Sequence, residues 1–421
     1  MSSSFLEPSV MRPDAPMMRL TPVRATCGLV LAAAALAVRP AAAAEVFYQP
    51  IASLTAETDS NLDLDSGPHK QLEGYLLDAA TTIGIATQES MTTLRPRLVY
   101  RDYPGDSPDD RLEAYLDINS AYRTQRSTFT LLGSLERQDE FNAEFTSATY
   151  NDVNPTQPLA ETGRVTNGGT RDSASLFPKY TYSFSPVIGA GVSGQYTIDR
   201  YSPSAISDHV DFEYYVGRAF LSWYFSPTSS LSAGVLGSKY EASQFPSSAT
   251  GTGGNVVLDT TWTPVLSTEF SLIDQHTSIS EVLPNVLHTS VNAWGGSAEV
   301  VYKSQVSQFK LNANRSVSPS GGGSAYTVNR LQFEYDRSFS TRLSFVGALV
   351  GLQVHALTAD ADGDNRKYAQ TQLSAKWMLS RTWFVQGGYQ YTFQRYEYDP
   401  PSVANNRIYV RFGYQGLGQE R

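Results

Sequence analysis

From Trp383 to Gln394 the chain alternates between apolar and polar residues, interrupted only at Phe384 and Gly387-Gly388. Trp383, Val385, Tyr389, Tyr391 and Phe393 interleave with Gln386, Gln390, Thr392 and Gln394. Successive side chains of an extended strand point to opposite faces, so a period of two predicts a strand with one apolar and one polar face. The pattern recurs. Ala369, Leu373, Ala375 and Trp377 oppose Gln370, Gln372, Ser374 and Lys376, and Ile408, Val410, Phe412 and Tyr414 oppose Arg407, Tyr409 and Arg411. Near the start, Leu112, Ala114, Leu116 and Ile118 oppose Arg111, Glu113, Asp117 and Asn119.

A soluble sandwich alternates too, so composition and punctuation have to separate the two folds. Charged residues are 17% and aromatics 12% of 421 residues, including 25 Tyr. A soluble chain carries about 25% charge. A helical span needs about 20 consecutive apolar residues, and no such run exists beyond the N-terminus. Eight tight turns are expected, near Glu89-Ser90, Thr124-Gln125, Ser185-Pro186, Ser226-Pro227, Thr263-Pro264, Ser304-Gln305, Ser340-Thr341 and Ser380-Arg381. Tyr122, Phe184, Phe225, Trp262, Tyr302 and Phe339 precede most of them, as in the aromatic girdle of a membrane barrel. Nine longer polar connections are expected at the other end, around 59–72, 104–110, 140–174, 201–209, 244–254, 279–291, 318–326, 358–367 and 397–406.

Seventeen connections give about 18 strands. The expected fold is all-β, a transmembrane antiparallel up-and-down β-barrel over 45–421, in the outer membrane of a Gram-negative bacterium. Lipid leaves no open sheet edge tolerable, so the last strand must return to the first. A barrel of that size is too wide for side chains to fill, so a lumen is expected. Residues 1–44 read as a signal peptide. Arg19 and Arg24 precede an apolar run from Cys27 to Val38, and Ala42-Ala43-Ala44 supplies small residues for cleavage.

Net charge is −9, which argues against a nucleic-acid partner; membrane lipids are the expected surroundings. No catalytic motif stands out, and the five His are scattered, so no enzyme, cofactor or metal is expected. Asp360-Ala-Asp362-Gly363-Asp364-Asn365 matches a calcium loop only in part, because Gly is fourth and Thr371 is twelfth. It reads as an acidic hairpin loop. Residues 140–174 form either an inward constriction or a mobile loop, and Gly321-Gly322-Gly323 a loop tip.

The chemistry concentrates on the early strands. Arg95, Arg97 and Arg101 share one face, Arg111, Glu113, Asp117 and Arg123 the corresponding face of the next strand, and Glu136 follows. An Arg on the lipid face costs about 2–4 kcal/mol at mid-bilayer, so these residues must face the lumen. Two readings stand: a charged track for an anionic or polyhydroxyl solute, or an Arg–carboxylate network that stiffens the wall. Gln386, Gln390 and Arg411 complete the pore-lining candidates.

The segment Glu57-Thr58-Asp59-Ser60-Asn61-Leu62 resembles the opening of the outer-membrane β-barrel porins associated with exopolysaccharide export. Leu94-Arg95-Pro96-Arg97, Tyr103-Pro104, Ala121-Tyr122-Arg123-Thr124 and Lys179-Tyr180-Thr181-Tyr182-Ser183-Phe184-Ser185-Pro186 are similar to strand and turn units of that family. The resemblance implies a channel passing exopolysaccharide out of the periplasm, with a polysaccharide export machinery as partner. A general small-solute porin or a structural surface barrel are the alternatives.

Overall fold

The computed structural model describes residues 44–62, 64, 66–104, 111–139, 169–202, 210–243, 247–282, 286–319, 325–357, 365–397, 402–417 and 419–420. The chain divides into Met1–Ala42 and Ala43–Arg421, and every strand among the described residues belongs to the second unit. The expected signal segment, the 140–168 loop, the acidic 360–364 hairpin and the Gly321–Gly323 tip lie outside the described residues.

Eighteen long strands follow one another: β1 (Glu45–Asp59), β2 (Leu72–Ala86), β3 (Ser90–Asp102), β4 (Arg111–Arg123), β5 (Ser127–Asp139), β6 (Thr170–Ser183), β7 (Ile188–Tyr201), β8 (Phe212–Ser226) and β9 (Ser229–Ala242). The second half is β10 (Ser247–Thr263), β11 (Leu266–Val282), β12 (Val286–Lys303), β13 (Ser307–Pro319), β14 (Ala325–Ser338), β15 (Leu343–Ala356), β16 (Arg366–Met378), β17 (Trp383–Tyr396) and β18 (Val403–Gln415). A two-residue strand, β19 (Gln419–Glu420), ends the chain. Each strand pairs antiparallel with its neighbours in sequence, and β1 also pairs with β18. That last ladder, Ile51 opposite Gln415 through Asp59 opposite Arg407, closes the sheet into a barrel. β19 extends the seam by pairing with Phe47 and Tyr48.

All eight expected tight turns are present, at 87–89, 124–126, 184–187, 227–228, 264–265, 304–306, 339–342 and 379–382. Polar turn residues stabilise them locally. The Thr87 hydroxyl accepts from Ser90 N at 2.9 Å, and Thr124 and Ser380 do the same for Ser127 and Trp383, each at 3.0 Å.

Alternation sorts the two faces as expected. Leu98, Leu112, Val192, Leu221, Val235 and Leu272 point outward and are exposed. Exposed Tyr122, Phe184, Phe225, Trp262 and Phe339 ring the turn end. A contiguous apolar exterior of this extent is unstable in water and stable only against lipid.

Two expected long loops are instead strand. β10, β11 and β12 run 17, 17 and 18 residues, leaving only 243–246 and 283–285 between elements where 244–254 and 279–291 were expected as loops. About 9–11 residues suffice to cross the bilayer at barrel tilt. The outward apolar series stops at Val256, Leu272 and Trp294, and beyond it the outward positions are polar: Thr252, Asp274, His276 and Asn292. The three strands therefore rise past the apolar band as a fin. Their polar, glycine-rich composition resembles a loop, but continuous backbone pairing, Gly251 opposite Thr277 and His276 opposite Asn292, keeps them extended.

Candidate functional site: the inner wall

Register decides which side chains share the inner wall. Arg95 lies opposite Asp117, Arg97 opposite Tyr115, and Val99 opposite Glu113, all on the face away from exposed Leu98 and Leu112. Glu136 continues this face on β5, opposite Tyr115. Across the barrel seam, Gln386 lies opposite Arg411 and Gln390 opposite Arg407. Arg111 opens β4 opposite Arg101, and its side chain lies outside the described residues.

The arginines have specific partners. Arg97 donates to both oxygens of Asp78, Nε to Oδ1 and Nη2 to Oδ2, each at 2.9 Å. This fork-to-fork geometry is the strong form of the pair. Glu57 on β1 is the hub of a second set. Its carboxylate lies 3.5 Å from Arg101 Nε, accepts from the Tyr103 hydroxyl at 2.6 Å, and accepts from Arg407 Nη2. The Glu57 side chain has no exposure. Burying a lone carboxylate would be prohibitive, so two guanidinium groups and a phenol offset its desolvation. Burial also pushes the Tyr103 phenol up, so it stays a neutral donor. Its ring lies across Gly74, where an added Cβ would collide with the ring carbons. Only glycine at 74 lets Tyr103 fold flat against the wall and reach Glu57.

The same wall carries further links. Tyr115 donates to Glu113 at 2.9 Å, and Gln138 Nε2 donates to Glu136 at 3.2 Å. Arg171 donates to Asp199 at 2.9 Å, with both side chains buried. Sequence inspection missed Glu57, Asp78 and Asp199 as partners. Nothing adjacent in sequence marks their partners, which lie on other strands and are revealed only by the pairing of the sheet.

The Asp59-Ser60-Asn61-Leu62 segment has a structural task here. Asn405 Nδ2 on β18 donates to Asp59 Oδ2 at 3.0 Å, Asn61 N donates to Asn405 Oδ1 at 3.1 Å, and Asn406 N donates to Ser60 Oγ at 2.8 Å. These bonds clamp the end of the β1–β18 seam. Leu62 and Leu64 then turn inward and pack with Tyr103 and Val403.

Burial varies along the barrel axis. At the loop end, inward Thr55, Arg366, Gln370, Thr392 and Gln394 are buried, as is the apolar cluster of Tyr326, Val328, Val350, Leu352, Val354 and Tyr368. At the turn end the inward face is wet. Asp259, Glu269 and Lys179, and Arg218 at mid-strand, are exposed although they alternate with outward Leu258, Phe270, Tyr180 and Leu221. Asp259, Glu269 and Glu299 stand side by side in register on β10, β11 and β12. Glu299 is met by Lys310 at 3.0 Å, while Asp259 and Glu269 have no ion-pair partner among the described residues. Like charges placed directly opposite repel, so water must screen this row. No group of His, Cys, Asp and Glu among the described residues could hold a metal ion.

No protein-family model and no curated protein matches the chain. Among solved structures it is similar to the copper transporter OprC, at 11% identity over 83% of this chain and 62% of that one, with a TM-score of 0.42. This chain thus spans less than two thirds of that transporter's length. It is similar to Acinetobacter baumannii OccAB4 at 9% identity over 90% of this chain and 100% of that one, with a TM-score of 0.42. For Pseudomonas aeruginosa OccK2 (OpdF) the values are 11%, 88%, 98% and 0.43.

Proposed function

We propose that the protein is an outer-membrane channel for small hydrophilic solutes. One observation carries this reading: on the inner face of a closed barrel, Asp259, Glu269, Lys179 and Arg218 are exposed, and only water inside the lumen can solvate them. An apolar exterior with an aromatic ring at the turn end fits a bilayer outside. The exposed charges carry both signs, which suits a channel of modest selectivity. Arg97 and Arg101 already face carboxylates, so the stiffening reading of the arginine cluster is favoured over an anion track. Passage of exopolysaccharide rests on the sequence resemblance alone, and the side chains packed at the loop end of the inner wall are a poor fit to a bulky polymer.

Purified protein in planar bilayers is the test. Asp259→Asn with Glu269→Gln should shift ion selectivity toward anions, because two solvated negative charges leave the lumen. Replacing Arg95, Arg97, Arg101 and Arg111 by Gln should shift it less, since ion pairs neutralise two of the four. Folded protein that never conducts would sink the channel reading, and so would selectivity indifferent to the acidic pair.

Orientation is tested separately. Cysteines at Thr252 and Asp274, on the outward face of the fin, should react with a membrane-impermeant thiol reagent on intact cells. A cysteine at Pro227, in a tight turn, should react only after the outer membrane is permeabilised. Equal labelling of all three would contradict the arrangement.

A further inference from the structure

The wall splits at one place. The β12–β13 ladder ends at Gly296 opposite Arg315, although β12 extends to Val286 and β13 to Pro319. Past that point, among the described residues, β12 pairs only with β11, and β13 only with β14. The split begins where the outward apolar series ends, at Trp294, so the unpaired edges lie in water, where they are tolerable. Arg315 marks the fork. Its guanidinium carbon sits 4.5 Å from the centre of the Trp294 ring, and its Nε donates to Trp294 O at 3.2 Å.

Beyond the fork, segments that are not neighbours in the sheet meet. Val317 of β13 lines a small cavity of about 20 Å³ with Tyr214, Tyr240, Gln275 and Thr277 of β8, β9 and β11. Leu357, just past β15, packs on Tyr201, Phe212, Tyr240, Ala249 and Ile279 of β7 to β11. Neither contact belongs to the barrel's ladder. Both require the tops of β13 and β15 to reach the inner face of β7–β11. That face carries an apolar cluster here, with Phe212 at 0% and Ile279 at 4% exposure, beside Gln275, which donates to Ser238 and Thr277, whereas the turn end of the same strands is charged and wet.

We infer that this apolar contact is a gate at the loop-end mouth, in which Leu357 and Val317 seat on the fin and the β12–β13 fork lets the two lips part. The inference rests on the channel reading. A hydrophobic constriction stops ions by excluding water, so a few apolar side chains are enough to close a pore. The fork supplies the hinge. A Cβ on Gly295 would lie 2.6 Å from Arg315 O, and one on Gly296 would collide with Ser271 O, so only glycine allows β12 this close to both neighbours where pairing stops. No ladder hydrogen bond joins Leu357 or Val317 to the fin among the described residues.

Two variants test the gate in planar bilayers, each first shown to be folded by its heat-modifiable gel mobility. Leu357→Asp with Val317→Asp places charges in the apolar contact and should raise mean conductance about tenfold by shifting the population toward the open state. The second variant carries Ala249→Cys and Leu357→Cys in a Cys27→Ser background. A short bis-maleimide should join the two thiols, and the joined protein should lose the openings that unjoined protein shows. Failure to join, or equal conductance before and after joining, overturns the gate and leaves the channel reading standing. Silence of both folded variants, including the doubly charged one, overturns the channel reading and the gate with it.

Discussion

Glu57→Ala should destabilise the barrel by about 3–5 kcal/mol, the cost of removing one partner from a buried ion pair. Two guanidinium groups, Arg101 and Arg407, then lose the carboxylate they converge on, and Tyr103 loses its acceptor. The arginines come from β3 and β18, on either side of the β1 seam, so the loss loosens the place where the barrel closes. Glu57→Gln keeps the shape and one acceptor, and should cost less. Urea titration of folding into phospholipid vesicles reads the difference, with the folded form scored by gel mobility. If Glu57→Ala is as stable as the parent, the hub does not hold the seam. The Asp59–Asn405–Asn61 clamp would then be sufficient, and Asn405→Ala would become the damaging change.

Leu116→Arg should also impair assembly strongly, by about 2–4 kcal/mol, because it places a guanidinium on the lipid face near the middle of a strand that crosses the bilayer. Leu116 pairs outward with Pro96 and Leu135, seven residues from the turn end of β4. Leu112→Arg, four residues further toward the loop end, should cost less, since the penalty falls near the interface. Asp117→Asn, one residue from Leu116 and on the opposite face, should leave assembly near normal. The same vesicle titration ranks the three. Equal effects of Leu116→Arg and Asp117→Asn would mean that the two faces of β4 are not distinguished by lipid and water.

These two experiments probe different kinds of information in the chain. The division into lipid and lumen faces is local. In Trp383 to Phe393 or Leu112 to Ile118, a period of two places alternate side chains on opposite faces whatever the strand pairs with. Short turns are equally local, because Thr87, Thr124 and Ser380 hydrogen-bond residues three positions on. Strand number and all eight turns were therefore legible in the sequence, and so was the common face of Arg95, Arg97 and Arg101.

Which charge meets which was not legible. Glu57 joins Arg101, Tyr103 and Arg407, the last of them 350 residues away, and nothing in the composition near residue 57 points to β18. The fin was misread for a related reason. Ser247 to Gly254 has the glycine, serine and threonine content of a loop, yet a partner strand on each side turns it into wall. Alternation and turn chemistry act over two to four residues and so are written in the sequence. Seam closure and the Glu57–Arg407 pair depend on register between strands distant along the chain, which exists only once the barrel has closed, and the fork at Gly296 goes with the contacts that β13 and Leu357 make on β7–β11.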